Sequence, residues 1–268
     1  MTSRLAAPRL VGSDLDGTIV RSDGTISART VAALAAVESA GATFVMVTGR
    51  PTRWMRVVAE QTGHHGIAIC ANGAIVYDLH AEEVLHSFLL SAAVGREVAA
   101  ALREALPGIA FAVERHDAPF AHEKSYVPRW DSADPRTQAP VDELLSSDVV
   151  KLLARHEGLG SDDLLAAAVA AVGDAATLTH SSSDGLLEIS AAGVSKATGL
   201  AMLAAERGVT ALEVVAFGDM PNDLPMLTWA GLGVAVANAH ASVLAAADEV
   251  TASNDDDGVA QVLDRWFT

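Results

Sequence analysis

The chain has 268 residues, half of them hydrophobic, with one cysteine and a formal net charge of −16. That length supports one large domain or two ordinary ones. The charge opposes nucleic acid and anionic membranes as partners, and a lone cysteine excludes an internal disulfide or a cysteine-built metal site.

The N-terminal MTSRLAAPRLVG runs into the first strand without a signal-like apolar segment and cleavage site, and the longest apolar stretch, residues 164–172, is too short to cross a bilayer. A soluble cytoplasmic protein is expected. A strand is predicted around residues 10–15, then a helix from about Ser27, a plausible N-cap, to Ala40, with Gly41 as its stop. The strand TFVMVTG follows, then a helix opening at Pro51 and closing near Gly63, then the strand GIAICANG with Cys70 as a buried structural thiol. Nearly continuous apolar strands in β-α-β-α-β order predict an α/β fold, a Rossmann-like parallel sheet covered by helices.

Between residues 82 and 187 the texture changes. Helices predicted at Ala92–Leu106 and Asp162–Gly173 flank the polar, aromatic-bearing FAVERHDAPFAHEKSYVPRWD at 111–131. We read 83–187 as an inserted α+β domain, and 1–82 with 188–268 as the core. The core pattern resumes with the strand LEVVAFGD, a helix near Asn222–Ala230, the strand GLGVAVAN and a last helix at about Gly258–Trp266, while SNDDDG at 253–258 reads as a solvated loop. No repeat of fixed period is present.

In an open parallel sheet, ligands bind beyond the carboxyl ends of the strands. Asp14 and Asp16 fall at the end of the first strand, Thr48-Gly49-Arg50 at the second, Asn72-Gly73 at the third and Gly218-Asp219 at a later one. The polar clusters therefore share one rim. Crowded carboxylates without histidine or cysteine suit a hard cation such as Mg²⁺, and Arg50 and Lys196 would favour an anion beside it, phosphate above all.

The set DLDGT at 14–18, TGR at 48–50, the lone lysine in GVSKATGL and GDMPND at 218–223 resembles the haloacid dehalogenase superfamily. The ANG after the third strand and the late GVAVANA resemble its Cof-type phosphatases, which carry a large α/β cap between the second and third motifs. The motif match covers about 8–82 and 188–268; the cap matches by position and size only. Ile19 stands where leucine usually follows DGT, Ser13 precedes Asp14, and Ala197 follows Lys196 where glycine is common, which bears on the turn that aims the lysine.

The resemblance implies that Asp14 is a nucleophile forming an aspartyl phosphate and Asp16 a general acid and base. Thr48 and Gly49 would hold phosphate oxygens and Lys196 would neutralise charge. Mg²⁺ would be held by Asp14, the Asp16 carbonyl and Asp219, with Asp223 just behind. Arg50, Asn72, Gly73 and Asn222 are candidate substrate contacts, and Asn238 is a weaker one. In the inserted segment, Glu114, Arg115, His116, Glu123, Tyr126 and Arg129 could face the leaving group, although such side chains are more often solvated loop residues. The implied function is a phosphatase for a small phosphorylated metabolite, with a sugar phosphate favoured by analogy. A phosphomutase and a non-catalytic metabolite-binding regulator stand as alternatives.

Overall fold

A computed structural model of the chain describes residues 6–116, 118–129 and 137–267. Asp117, Trp130 and Asp131 of the polar middle, and residues 1–5 of the N-terminal stretch, lie outside the described residues. The chain divides into two compact units, 1–86 with 195–268, and 87–194.

The first unit begins with β1 (Leu10–Ser13), α1 (Ala28–Ser39), β2 (Thr43–Val47), α2 (Met55–Thr62), β3 (Ile67–Cys70), β4 (Ile75–Asp78) and β5 (Glu83–Ser87). In α1 the Ser27 hydroxyl accepts from the Thr30 N–H, and Gly41 follows the helix at φ +82°, so both predicted helix signals act as expected. The helix predicted to open at Pro51 starts instead with a short 3₁₀ turn, 52–54.

The second unit holds α3 (Ala92–Ala105), β6 (Ala110–Glu114), β7 (Ala121–His122), α4 (Val141–Leu144), β8 (Lys151–Arg155), α5 (Ser161–Val172), β9 (Ala176–Thr179) and β10 (Leu186–Ala191). The chain returns to the first unit with α6 (Lys196–Glu206), β11 (Val214–Gly218), α7 (Leu224–Trp229), β12 (Leu232–Ala235), α8 (Ala241–Ala246), β13 (Glu249–Val250) and α9 (Gly258–Leu263). The units divide a few residues beyond the limits read from sequence. One reason is that β10 pairs with β8 and β9 and so belongs wholly to the second sheet.

Among the described residues, the first sheet has the order β13-β12-β11-β1-β2-β3-β4-β5. Pairing is parallel from β13 through β3, but β4 runs antiparallel to β3. The reversal is local: Asn72 and Gly73 have φ values of +58° and +99°, turning the chain back without a crossover helix. β1 lies between β2 and β11, so the chain leaves it in both directions, which makes its carboxyl end the switch point where open α/β sheets bind ligands. Helix α6 packs closely on this strand, for a Cβ on Gly12 would lie 2.7 Å from a Leu200 methyl. Cys70 is buried.

In the second unit the sheet order is β7-β6-β8-β10-β9. Phe111, Val113, Leu152, Ala154, Leu187 and Ile189 alternate onto one face and form its core with α3 and α5. No helix among the described residues is long and apolar enough to cross a membrane.

Candidate active site

The carboxyl ends of β1 and β11 and the start of α6 converge on a buried ion cluster. Lys196 Nζ donates to Asp14 Oδ1 and to Asp223 Oδ1, each at 2.6 Å. The lysine is wholly buried, and both acids are buried with it. Burial alone would pull the Lys196 ammonium down, but the charges of Asp14 and Asp223 outweigh it and hold the group above its usual range. The helix entry that aims this side chain is fixed despite Ala197: Ser195 caps the Thr198 N–H, and the Thr198 hydroxyl accepts from the Ser195 N–H. The turn therefore depends on the capping box and needs no glycine.

Asp223 is fully engaged. Its second oxygen accepts from the N–H groups of Asp219 and Met220, each at 3.0 Å. Asp219 accepts from the Thr18 hydroxyl at 3.1 Å, and Gly17 beside it has φ +79° and leaves no space for a side chain, since a Cβ would lie 2.4 Å from Asp219 Oδ2. Thr18, the last residue of DLDGT, thus has a role that its local sequence does not signal. Its contact lies 201 residues away along the chain.

Asp14, Asp219 and Asp223 each offer a carboxylate oxygen, and these lie within 4.8 Å of one another. Three acids facing one ammonium leave excess negative charge in a buried place. The cost appears in the acids. Burial, then the neighbouring Asp223, pushes Asp219 up to about 7, and Asp14 is raised by burial, with Lys196 opposing and Asp223, Asp219 and Asp16 adding to the rise. A divalent cation with oxygen ligands would remove this imbalance, so the donor set fits Mg²⁺.

Asp16 is unlike the other acids. Its side chain is 57% exposed and takes a two-pronged ion pair from Arg50, with Nε at 2.7 Å and Nη2 at 2.5 Å. Hydrogen bonding to Asp16 raises the Arg50 guanidinium above its ordinary value. Thr48 is buried and its hydroxyl accepts from the Arg50 N–H, with half-buried Gly49 between them. Asn72 ties the third strand end to the rest: its N–H donates to the Thr48 carbonyl, and its Oδ1 accepts from Asn222 Nδ2 at 3.1 Å. Asn72 Nδ2 and Asn222 Oδ1 remain buried without a hydrogen-bond partner among the described residues. A Cβ on Gly73 would lie 2.0 Å from the Ser195 carbonyl oxygen, so this turn abuts the entry to α6. Asn238 is exposed and donates to the Gly17 carbonyl at 2.8 Å.

A family model for haloacid dehalogenase-like hydrolases matches residues 11–263. The chain belongs to this family, as a Cof-type phosphatase. Among curated relatives, 5-amino-6-(5-phospho-D-ribitylamino)uracil phosphatase YitU of Bacillus subtilis (strain 168) is 28% identical over 277 residues, 97% of this chain and 98% of that protein. The chloroplastic endoribonuclease YBEY of Arabidopsis thaliana is 32% identical over 284 residues, 98% of this chain, but the chain spans only 47% of that protein's length. Among solved structures, the haloacid dehalogenase superfamily phosphatase BT1666 from Bacteroides thetaiotaomicron has the same fold, with a TM-score of 0.79 at 23% identity over 98% of this chain and 96% of that one.

In this haloacid dehalogenase-like hydrolase, the first unit brings together Asp14, Asp16, Thr48, Gly49, Arg50, Asn72, Gly73, Lys196, Asp219, Asn222 and Asp223 on the loops after β1, β2, β3 and β11 and at the entry to α6. The six candidates of the inserted segment belong to the second unit. Three of them are buried rather than solvated. Glu123 accepts from the Phe111 and Val141 N–H groups and pairs with Arg103, so it fastens a loop to β6. Tyr126 packs on Ala110 and Ala112 under the Arg155 guanidinium, and Glu114 sits opposite Lys151 in the sheet register. Arg115 donates to the Leu144 carbonyl, Arg129 pairs with Asp184 at 2.9 Å, and His116 is exposed.

Proposed function

We propose that this enzyme is a Mg²⁺-dependent phosphatase that hydrolyses a small phosphorylated metabolite of the sugar-phosphate class through an aspartyl phosphate on Asp14. The observation that carries the reading is the Asp14 carboxylate, held at the carboxyl end of β1 by a buried lysine that leaves its second oxygen to other partners. Burial favours the protonated form, so Lys196 and a bound Mg²⁺ would together hold Asp14 as the carboxylate that attacks.

Asp14 and Asp219 would give carboxylate oxygens to Mg²⁺, with the Asp16 carbonyl, while Asp223, spent on Lys196 and two N–H groups, orients them from behind. Bound there, Mg²⁺ supplies positive charge against the phosphoryl oxygens. The Asp14 oxygen attacks phosphorus as the bond to the leaving oxygen breaks, and Asp16, turned from the Arg50 fork and carrying a proton taken from solvent, gives that proton to the leaving oxygen. Asp16 then takes a proton from the water that attacks phosphorus and releases phosphate from Asp14. Thr48 and Gly49 hold the phosphoryl oxygens. Lys196 keeps Asp14 aimed and offsets charge that builds during transfer. Arg50 holds Asp16 at the rim, and Asn72 and Asn222 offer one donor and one acceptor to a polar group of the substrate.

The substrate class draws support from YitU, whose name describes a phosphate ester on a ribityl chain. Assay of a phosphate-ester panel in ¹⁸O-labelled water tests the whole reading. Hydrolysis with label in the released phosphate, abolished in Asp14→Asn, is expected. Return of the phosphoryl group to substrate without label would identify a mutase, and tight metabolite binding with no turnover would identify a regulator.

A further inference from the structure

The loop SNDDDG at 253–258, read from its composition as solvated, is so only in part: Asp255 and Asp256 are exposed, while Asn254 and Gly258 are buried. Asn254 is buried and makes two hydrogen bonds that converge on the turn after β1: its Nδ2 donates to the Val20 carbonyl at 2.9 Å, and its N–H donates to Asn238 Oδ1 at 2.9 Å. Asn238 Nδ2 in turn donates to the Gly17 carbonyl. Of the turn's backbone carbonyls, that of Val20 is thus tied to Asn254 directly, 234 positions away, and that of Gly17 through Asn238. Next to it, Asp255 accepts from both the N–H and the hydroxyl of Ser22, at 2.9 and 2.8 Å, and Asp257 pairs with Arg21 at 2.7 Å.

The loop itself is closed tightly. Asp257 sits at φ +59°, Gly258 N–H donates to the Ser253 carbonyl, and a Cβ on Gly258 would lie 2.0 Å from the Ala252 carbonyl oxygen. The closed loop therefore holds Val20, Arg21 and Ser22 directly and Gly17 through Asn238. Fixing the Gly17 carbonyl fixes the peptide plane between Gly17 and Thr18. After that peptide along the chain the Thr18 hydroxyl meets Asp219; before it comes Asp16, whose exposed carboxylate is held, among the described residues, by Arg50.

We propose that the 253–258 loop is a clamp that positions the catalytic turn, with Asn254 and Asn238 as positioning residues for Asp16. The inference rests on the reading of Asp16 as general acid. An acid held in place supplies about 10²–10⁴-fold where the leaving oxygen is basic, and little where it leaves readily as an anion. Loosening the clamp should therefore slow alkyl phosphates while largely sparing aryl ones, a selectivity that mere loss of folded protein cannot produce.

The test compares kcat/KM for p-nitrophenyl phosphate and for glycerol 3-phosphate in wild type, Asp16→Asn, Asn254→Ser, Asn238→Ala and Asp255→Ala, each checked for folded content by circular dichroism. Asp16→Asn should raise the aryl-to-alkyl ratio most. Asn254→Ser and Asn238→Ala should raise it by roughly tenfold, and Asp255→Ala, which alters an exposed side chain and leaves the core intact, should move it in the same direction by a smaller factor. A raised ratio in Asp16→Asn with wild-type ratios in all three clamp variants would overturn the clamp. An unchanged ratio in Asp16→Asn itself rejects the general-acid reading, and the clamp falls with it. The two failures are told apart by that one control.

Discussion

Lys196 donates to Asp14 at 2.6 Å across 182 residues of sequence, in complete burial. A lysine opening a helix is ordinarily a solvated surface group. Here the partner acids Asp14 and Asp223 make burial tolerable and the lysine indispensable.

Replacing Lys196 by Met should consequently affect fold and chemistry together. Two acids would be left buried without their cation, a loss of roughly 3–5 kcal/mol of stability, measurable by urea denaturation. Turnover of every phosphate ester should fall by the same factor, since each transfer shares the same phosphoryl charge. An unequal fall across unlike esters would contradict a role confined to the shared chemistry.

Metal binding should depend on pH through Asp219. Its carboxyl, raised to about 7 by burial and by Asp223, binds a proton in the folded chain over a range where the unfolded chain has lost it. Without metal, stability should therefore decline as pH rises from about 4 through 7. Mg²⁺ competes with that proton, so its affinity should rise over the same interval with proton release. Calorimetry in buffers of different ionisation enthalpy reads the released proton, and metal-free thermal melts read the slope.

Calcium should replace magnesium poorly in catalysis. Ca²⁺ takes more oxygens at longer distances and would draw both oxygens of Asp14 to itself, turning the carboxylate from phosphorus. We expect chelated enzyme to regain activity with Mg²⁺ and to stay near background with Ca²⁺ at equal occupancy.

Gly17→Ala should strain the turn and disturb Asp219 together. The added methyl would lie 2.4 Å from Asp219 Oδ2 at a backbone φ of +79°. A loss of about 1–3 kcal/mol is expected from the backbone conformation alone, with weaker Mg²⁺ binding beside it. A melt and a metal titration on the same variant check both.

Arg50→Ala should separate stability from activity. Its ion pair with Asp16 sits at the surface, where such a pair contributes about 1 kcal/mol or less, so the melting temperature should barely move. Turnover of alkyl esters should nevertheless drop, because Asp16 loses the fork that orients it.

Much of the site was legible in the sequence because chemistry at a strand end is written locally. DLDGT, TGR and GDMPND each follow an apolar run within a few residues, and the rule that ligands gather at the carboxyl ends of parallel strands places Asp14, Thr48 and Asp219 on one rim. The apolar strands and the caps at Ser27 and Gly41 carry their structure in nearest neighbours, which is why α1 and β2 fall where predicted.

Other features were decided only by the tertiary structure, because they depend on partners far apart in the chain. The sequence pattern alone cannot show that β4 turns back against β3, that Glu123 is a buried fastening, or that Asp223 is spent on Lys196 while Asp16 faces Arg50. Asn254 shows the difference most plainly. Amid SNDDDG its polarity predicts solvent, since composition records how many polar groups a segment has and not which buried carbonyls await them. Only when the fold brings Val20 and Asn238 beside it do the hydrogen bonds exist that make its burial favourable.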